Sequence, residues 1–200
     1  MPRATVNGAR LTFLPHRDAV VPSRLSRGEE KRKSIMDRFR KNNEKYAKDF
    51  DKGDAPMPPA ERFVVLTCMD ARLHPETFLG MEIGDAHVIR NAGGRASDDA
   101  LRSLIISSRL LGTREYAVIH HTDCGMLTFS NDDLRGKLAA DTGKDASHMD
   151  FLPFSDVDQS VRDDVRKIRD NPFIPPDVEV SGWVYDVKTG KLQEVVPAGR

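Results

Sequence analysis

The sequence predicts an α/β fold in which a central, mainly parallel β-sheet is flanked by helices. Three short apolar runs, at 62–67, 86–90 and 116–120, have the length and the β-branched content of buried strands. A helical pattern separates the second run from the third, and parallel strands need crossover connections of this kind. The chain has 200 residues and is 38% hydrophobic, which is enough for one domain with a substantial core.

An amphipathic helix is expected first, over residues 35–50. Its apolar stripe is sparse and set among many charges, so the helix needs another surface to cover it. The stripe consists of Ile35, Phe39, Tyr46 and Phe50. The segment 54–59 contains three prolines, which remove backbone donors and favour extended conformations. This composition predicts a linker between the helix and the first strand.

A second helix is predicted between the strands at 86–90 and 116–120. It begins near Ser97, which is followed by two acids where the helix dipole favours negative charge, and it ends at Gly112. Its buried face is expected to comprise Leu101, Leu104, Ile105 and Leu111.

Two further helices and a hairpin complete the prediction. The helices are expected over 131–140 and 158–170, and the second of them carries Val161, Val165 and Ile168 on one side. A closing hairpin pairs 178–186 with 192–196 across the turn Lys188-Thr-Gly190.

The chain has two cysteines, and each stands in a polar motif directly after an apolar run. The motifs are Cys68-Met-Asp70-Ala-Arg72 and His121-Thr-Asp-Cys124-Gly. Ligands of open parallel sheets bind outside the carboxyl ends of the strands, so these motifs are expected to converge. Two thiolates and one imidazole are three zinc ligands, a number that leaves a fourth position open for water. The sequence therefore predicts a catalytic zinc site of Cys68, His121 and Cys124, whereas the neighbouring His120 is expected to pack or hydrogen-bond in the core.

The two motifs resemble those of the β-class carbonic anhydrases of the small microbial type. They are separated by 53 residues from Cys68 to His121, and the segment Gly-Asp-Ala-His-Val-Ile-Arg-Asn-Ala-Gly-Gly at 84–94 lies between them. The resemblance extends from about Met36 to the C-terminus. It implies one Zn²⁺ per chain and the reversible hydration of carbon dioxide to bicarbonate and a proton by zinc-bound hydroxide.

The resemblance also assigns roles to Asp70 and Arg72. Asp70 would accept a hydrogen bond from the hydroxide, and Arg72 would hold Asp70 through a bidentate pair. In the resembled family this aspartate sometimes becomes a fourth metal ligand at lower pH, so Asp70 is a conditional ligand here. Without a metal, the same pair would be an ordinary surface ion pair. Asn91, Gly93 and Gly94 either form a tight turn, which is sufficient explanation, or let backbone approach the site. His87 and Asp123 receive no role.

Several other functions compete with this interpretation. A cysteine hydrolase of Cys68, His121 and Asp70 would leave Cys124 without a role. A nucleotide-binding module lacks a glycine-rich phosphate loop after the first strand, and a phosphatase loop would need a different spacing of cysteine and arginine. A catalytically silent zinc protein would not need Asp70 and Arg72. Hydrolysis of carbon disulfide or carbonyl sulfide at a similar site remains an alternative within the family.

The formal net charge of +0 argues against a nucleic-acid partner, and no apolar run has the ~20 residues of a membrane span. The resemblance implies a homodimer or a larger homo-oligomer, with the N-terminal helix extending onto a partner subunit. Residues 1–34 are expected to form a basic, disordered extension, and residues 35–200 a single zinc-binding catalytic domain. The expected location is cytoplasmic. The alternative is mitochondrial, because the first 28 residues hold five arginines against one acid, as in a transit peptide.

Overall fold

The structure is a computed structural model that describes residues 34–200, so the predicted extension lies, apart from Ser34, outside the described residues. The chain divides between Asp54 and Ala55 into two compact units. The predicted domain boundary at residue 35 stays a prediction.

The first unit contains helix α1 (Ile35–Lys48). The Ser34 side chain accepts a hydrogen bond from the Met36 amide and caps the helix, whose last turn carries Lys45 and Lys48. The helix ends two residues earlier than predicted. Phe50 lies beyond its end, with its ring centroid 5.5 Å from that of Tyr46. None of the residues of α1 is buried.

The second unit, Ala55–Arg200, contains five strands, which are β1 (Phe63–Cys68), β2 (Ala86–Asn91), β3 (Glu115–His121), β4 (Glu179–Tyr185) and β5 (Leu192–Val196). They form one sheet of order β2-β1-β3-β4-β5. Strands β1 to β4 are parallel to one another, and β5 is antiparallel to β4. The predicted fold class is therefore confirmed, and so is the closing hairpin.

Four helices belong to this unit, and three of them were predicted. They are α2 (Pro75–Leu79), α3 (Asp98–Leu110), α4 (Asn131–Thr142) and α5 (Val157–Arg169). Helix α2 and two 3-10 turns, Ala92–Gly94 and Gly125–Leu127, were not predicted from the sequence. Segments of three to five residues are too short to show a helical period.

Both faces of the sheet are covered, which explains why the central strands β1 and β3 are buried along almost their whole length, without alternation. On one face, Val64 and Val118 pack in the main core together with side chains of α3 and α5. On the other face, Val65 and Ile119 form a second cluster with side chains that include Phe78 of α2. Within the described part of the chain, no helix is long and apolar enough to cross a membrane.

Candidate metal centre

Two adjacent parallel strands bring the candidate ligands together. Cys68 is the last residue of β1 and His121 is the last residue of β3, while Cys124 follows three residues later and precedes a 3-10 turn. One ligand atom from each of the three residues lies within 4.8 Å of the other two. All three side chains are buried. The structure thus places the predicted ligand set in one cluster at the carboxyl end of the sheet.

The ring of His121 is oriented by the backbone. Its Nδ1 lies 2.9 Å from the carbonyl oxygen of Thr122, which can only accept, so Nδ1 carries the proton and Nε2 presents a lone pair. Nε2 is buried and has no hydrogen-bond partner among residues 34–200. Burying such a polar atom without a partner destabilises the fold by about 1–3 kcal/mol, unless a ligand binds to it. Together with two buried thiols, this nitrogen fits a zinc ion, which prefers sulfur and imidazole donors.

Backbone amides support the two sulfurs. The Cys124 side chain lowers the pKa of Cys68 most and burial opposes it, while the neighbouring imidazole of His121 and the backbone amides of Asp70 and Gly93 lower it further. The pKa of Cys124 is raised by the hydrogen bond with Cys68 and by burial, and the backbone amide of Met126 lowers it in part. A metal cation that binds here would displace the proton shared by the two sulfurs and leave both of them as thiolates.

The predicted pair of Asp70 and Arg72 is present. Arg72 donates from Nε to Oδ1 of Asp70 at 3.0 Å and from Nη2 to Oδ2 at 2.8 Å, and its backbone amide donates to Oδ1 at 2.9 Å. These hydrogen bonds outweigh burial and lower the pKa of Asp70 to about 2. Oδ2 of Asp70 also lies 3.8 Å from Nε2 of His121. A fixed carboxylate therefore stands beside the ligand cluster.

Arg72 also contacts Asp123, a residue to which the sequence assigned no role. Its Nη1 lies 2.7 Å from Oδ2 of Asp123, and its Nη2 donates to the Asp123 carbonyl at 2.9 Å. Asp123 has a left-handed backbone, with φ 54°, in the loop between His121 and Cys124. Arg72 therefore ties the end of β1 to the loop after β3. Asp123 lies inside the second motif, and this position was the sequence signal that could have identified it.

The turn Ala92–Gly94, called the glycine turn below, lies directly over Cys68. Gly93 and Gly94 have positive φ values of 81° and 69°. A Cβ at Gly94 would lie 2.9 Å from the backbone nitrogen of Cys68. The turn explanation from the sequence is correct but incomplete, because close approach to the site also requires glycine here.

The histidine that directly precedes the second motif lies in the core as predicted. His120 is fully buried, and its Nδ1 is 2.7 Å from the hydroxyl of Ser160. Cys124, by contrast, belongs to the cluster of Cys68 and His121, a position that a Cys-His-Asp hydrolase does not require.

A mainly parallel sheet with a Cys-His-Cys cluster at its carboxyl end, beside an aspartate held by arginine, is consistent with a carbonic anhydrase. The family model described as "Carbonic anhydrase" matches residues 63–192. Beta-carbonic anhydrase 1 of Mycobacterium tuberculosis is 46% identical over 166 residues, which are 82% of this chain and 99% of the relative. The chain therefore belongs to the β-carbonic anhydrase family, and it is an enzyme of that family.

Two further comparisons define its neighbours. The crystal structure of carbonic anhydrase from Streptococcus mutans superposes with a TM-score of 0.78 at 47% identity, covering 81% of this chain and 98% of that one. A carbon disulfide hydrolase of Acidianus sp. is 36% identical over 161 residues, which are 69% of this chain and 79% of the relative.

Proposed function

We propose that this enzyme holds one Zn²⁺ per chain through Cys68, His121 and Cys124 and hydrates carbon dioxide reversibly to bicarbonate and a proton. The observation that carries the proposal is the buried, unpartnered Nε2 of His121, on an imidazole that offers a ligand atom within 4.8 Å of both sulfurs. A relative named beta-carbonic anhydrase, 46% identical over most of the chain, supports the same reaction.

The protein's own groups supply the rest of the chemistry. When bound, zinc contributes a Lewis-acidic centre that makes water acidic near neutral pH. Two thiolates offset most of the charge of the ion, so hydrogen bonding by the protein must help to activate the reacting water. Asp70 stays ionised beside Arg72 and accepts that hydrogen bond, which orients the water's lone pair toward the carbon of carbon dioxide.

Arg72 also decides whether Asp70 can act as a fourth ligand. Both carboxylate oxygens of Asp70 are engaged by Arg72, so ligation of a metal by Asp70 requires this pairing to break. An Arg72→Ala variant is expected to favour the ligated, closed site and to lose activity. Full activity in this variant would contradict the role of Arg72.

The test of the proposed reaction is stopped-flow hydration of carbon dioxide by zinc-loaded protein between about pH 6.5 and 9, a range that brackets the titration of water at zinc. The control is Cys68→Ser, measured with its zinc content. Activity that rises with pH and is absent from the variant supports the proposal. Wild-type protein that binds zinc without hydrating carbon dioxide would favour a silent zinc protein or another substrate.

Carbon disulfide is the second candidate substrate, because four relatives at 33–36% identity are named carbon disulfide hydrolase. Release of hydrogen sulfide from carbon disulfide should be measured on the same preparation. A turnover of carbon disulfide that exceeds carbon dioxide hydration would replace the proposed reaction with this one.

We also propose a homodimer or larger assembly in which α1 lies on a partner subunit. Four apolar side chains of α1 are about half exposed, and a second copy of the chain would cover them. These side chains are Ile35, Met36, Phe39 and Tyr46. Light scattering at micromolar concentration is expected to give at least twice the mass of 22.4 kDa, and a monomer would overturn the proposal.

A further inference from the structure

A buried polar network connects α5 with the glycine turn over Cys68. Its centre is Asp164 of α5, a carboxylate that is only 3% exposed. Arg95 donates to it twice, from Nε to Oδ2 at 2.7 Å and from Nη2 to Oδ1 at 3.2 Å. Nε2 of His120 lies 3.3 Å from the same Oδ2. Asp164 therefore holds one side chain from the end of the glycine turn and one from β3.

His120 connects Asp164 to the glycine turn. Its Nε2 faces two acceptors, Asp164 and the carbonyl oxygen of Gly94 at 3.2 Å, so Nε2 carries the proton. On the opposite side of the ring, Nδ1 meets the hydroxyl of Ser160 on α5 at 2.7 Å. The ring also stacks on Phe154 with centroids 5.6 Å apart. Helix α5 thus fixes the imidazole, and the imidazole fixes the carbonyl of Gly94.

Arg95 and Asn91 fix the two ends of the glycine turn. Besides its pair with Asp164, Arg95 donates from Nη1 to the carbonyl of Leu152 at 3.0 Å. The Asn91 side chain accepts from the Arg95 amide and donates to the Arg95 carbonyl, each at 2.7 Å. The turn therefore has little freedom to move relative to β1.

The glycine turn acts directly on a candidate zinc ligand. The backbone amide of Gly93 lowers the pKa of the Cys68 thiol. Gly94 is packed so closely that a Cβ there would lie 2.9 Å from Cys68 nitrogen and from the Thr67 carbonyl carbon. A shift of the turn by a few tenths of an ångström would therefore displace the backbone of Cys68, and with it the sulfur that a metal would bind.

We infer that Asp164 is a positioning residue for the metal site, acting through His120 and Arg95 to hold the glycine turn against Cys68. The inference rests on the proposed zinc function. Stability alone does not explain the network, because a buried ion pair often contributes no more than apolar residues of the same volume. A polar network that ends on the carbonyl of Gly94, the residue packed against the backbone of Cys68, instead fixes the position of the turn.

The test compares Asp164→Asn with Asp163→Asn, the same substitution one residue earlier on α5. Asp163 is exposed, with contacts only to Gln159 at 2.9 Å and to Arg166 at 3.5 Å among the described residues. The readouts are zinc affinity by chelator competition and the thiolate-to-metal charge-transfer band of the cobalt-substituted protein. Asp164→Asn is expected to bind zinc about 10- to 100-fold more weakly, with a shifted cobalt band. Asp163→Asn is expected to change affinity by no more than about twofold.

A variant Asp164→Asn that unfolds at a lower temperature but keeps the wild-type zinc affinity and cobalt spectrum would overturn the inference, since the network would then be structural only. If this variant does not fold, Ser160→Ala and Arg95→Lys replace it, with smaller losses of affinity expected in the same direction. Wild-type affinity in both would overturn the inference as well.

These measurements do not depend on carbon dioxide turnover. Weaker metal binding by Asp164→Asn in a protein that fails to hydrate carbon dioxide would leave the positioning role intact and remove only the proposed reaction. A wild-type protein that binds neither zinc nor cobalt would overturn both.

Discussion

Arg72 is the residue on which the geometry of the site depends most directly. It donates to both oxygens of Asp70 and, through Nη1, to Asp123 across the loop that leads to Cys124. A planar guanidinium can make these parallel contacts at once, whereas an ammonium group cannot. The charge of residue 72 is thus less important than its shape.

We therefore expect Arg72→Lys to lower kcat/KM for carbon dioxide hydration by about 10- to 100-fold. This is the usual effect of losing a side chain that orients the groups next to a metal ion. Arg102→Lys is the matched control, because Arg102 makes an exposed pair with Asp99 on α3. Stopped-flow rates at equal zinc content decide the question. Equal rates for Arg72→Lys and Arg102→Lys would show that a positive charge alone suffices.

A second prediction concerns the pH dependence of Asp164. Burial raises the pKa of this carboxyl, but hydrogen bonds from His120 and Arg95 and their charges outweigh burial, and the net pKa is lowered. Since its pKa in the folded protein lies below the unfolded value of about 3.9, Asp164 stabilises the fold above that pH and loses this effect as pH falls further. The difference in unfolding free energy between wild type and Asp164→Asn should therefore be constant from about pH 7 to 5 and shrink below about pH 4.

Urea unfolding in the presence of a chelator measures this difference without a contribution from metal. At pH 7 it should be about 3 kcal/mol, because Asn leaves Arg95 and His120 without their anionic partner. A difference that does not change down to the lowest pH at which the protein folds would show that Asp164 is not the titrating group.

Residues of the site differ in how well the sequence predicts them. Two short motifs, each of which begins at the last residue of a strand, contain Cys68, His121, Cys124, Asp70 and Arg72. Asp164 has no such signal, because it lies 43 positions beyond His121 in a charged segment of α5 and shows its role only by burial. Side chains that act through a non-local contact need the structure before they can be assigned.

At the level of elements, α5 is packed against β4 through a position without a side chain. A Cβ on Gly182 of β4 would lie 2.5 Å from Cγ1 of Val161 and 2.9 Å from Cγ2 of Val165. Both valines belong to the main core and are almost completely buried. This contact sets the distance between the sheet and the helix that carries Asp164.

Gly182→Ala should therefore destabilise the protein by about 1–3 kcal/mol, as expected for overpacking of a rigid core. Gly136→Ala is the control, since Gly136 is an exposed residue inside α4 with no atom within 4 Å of an added Cβ. There, alanine should stabilise by about 0.5–1 kcal/mol through helix propensity. Thermal or urea unfolding of the two variants should give changes of opposite sign, and a neutral Gly182→Ala would show that α5 shifts at no cost.

The sequence predicted long elements better than short ones. Predicted strand boundaries agree with the structure to within one residue for β1, β2 and β3, because apolar runs end sharply at polar motifs. Helix α2 was missed even though Pro75 opens it and Gly80 ends it in a left-handed conformation. Five residues offer start and stop signals but no periodicity between them.

At the scale of the whole molecule, the site results from strand order. Strands β1 and β3 are neighbours, and Thr67 pairs with Ile119 in register, so the residues after them reach the same edge of the sheet. The crossover rule for parallel strands allows the sequence to predict that both motifs end at one edge. The two motifs are adjacent at that edge only because β1 and β3 are neighbouring strands. This strand order depends on packing across both faces of the sheet.

Because β1, β3 and the loop after β3 each contribute one ligand, a bound zinc ion should cross-link separate segments and stabilise the entire second unit. Zinc that binds the folded state alone raises stability by RT ln(1 + [Zn²⁺]/Kd), about 4 kcal/mol at a thousandfold excess over Kd. The midpoint of thermal unfolding should therefore rise steadily with free zinc and fall on addition of a chelator. In Cys124→Ser, which loses one of three ligands, the same titration should move the midpoint much less. If the midpoint of the wild-type protein does not change with zinc, zinc binding at the Cys-His-Cys cluster does not stabilise the fold.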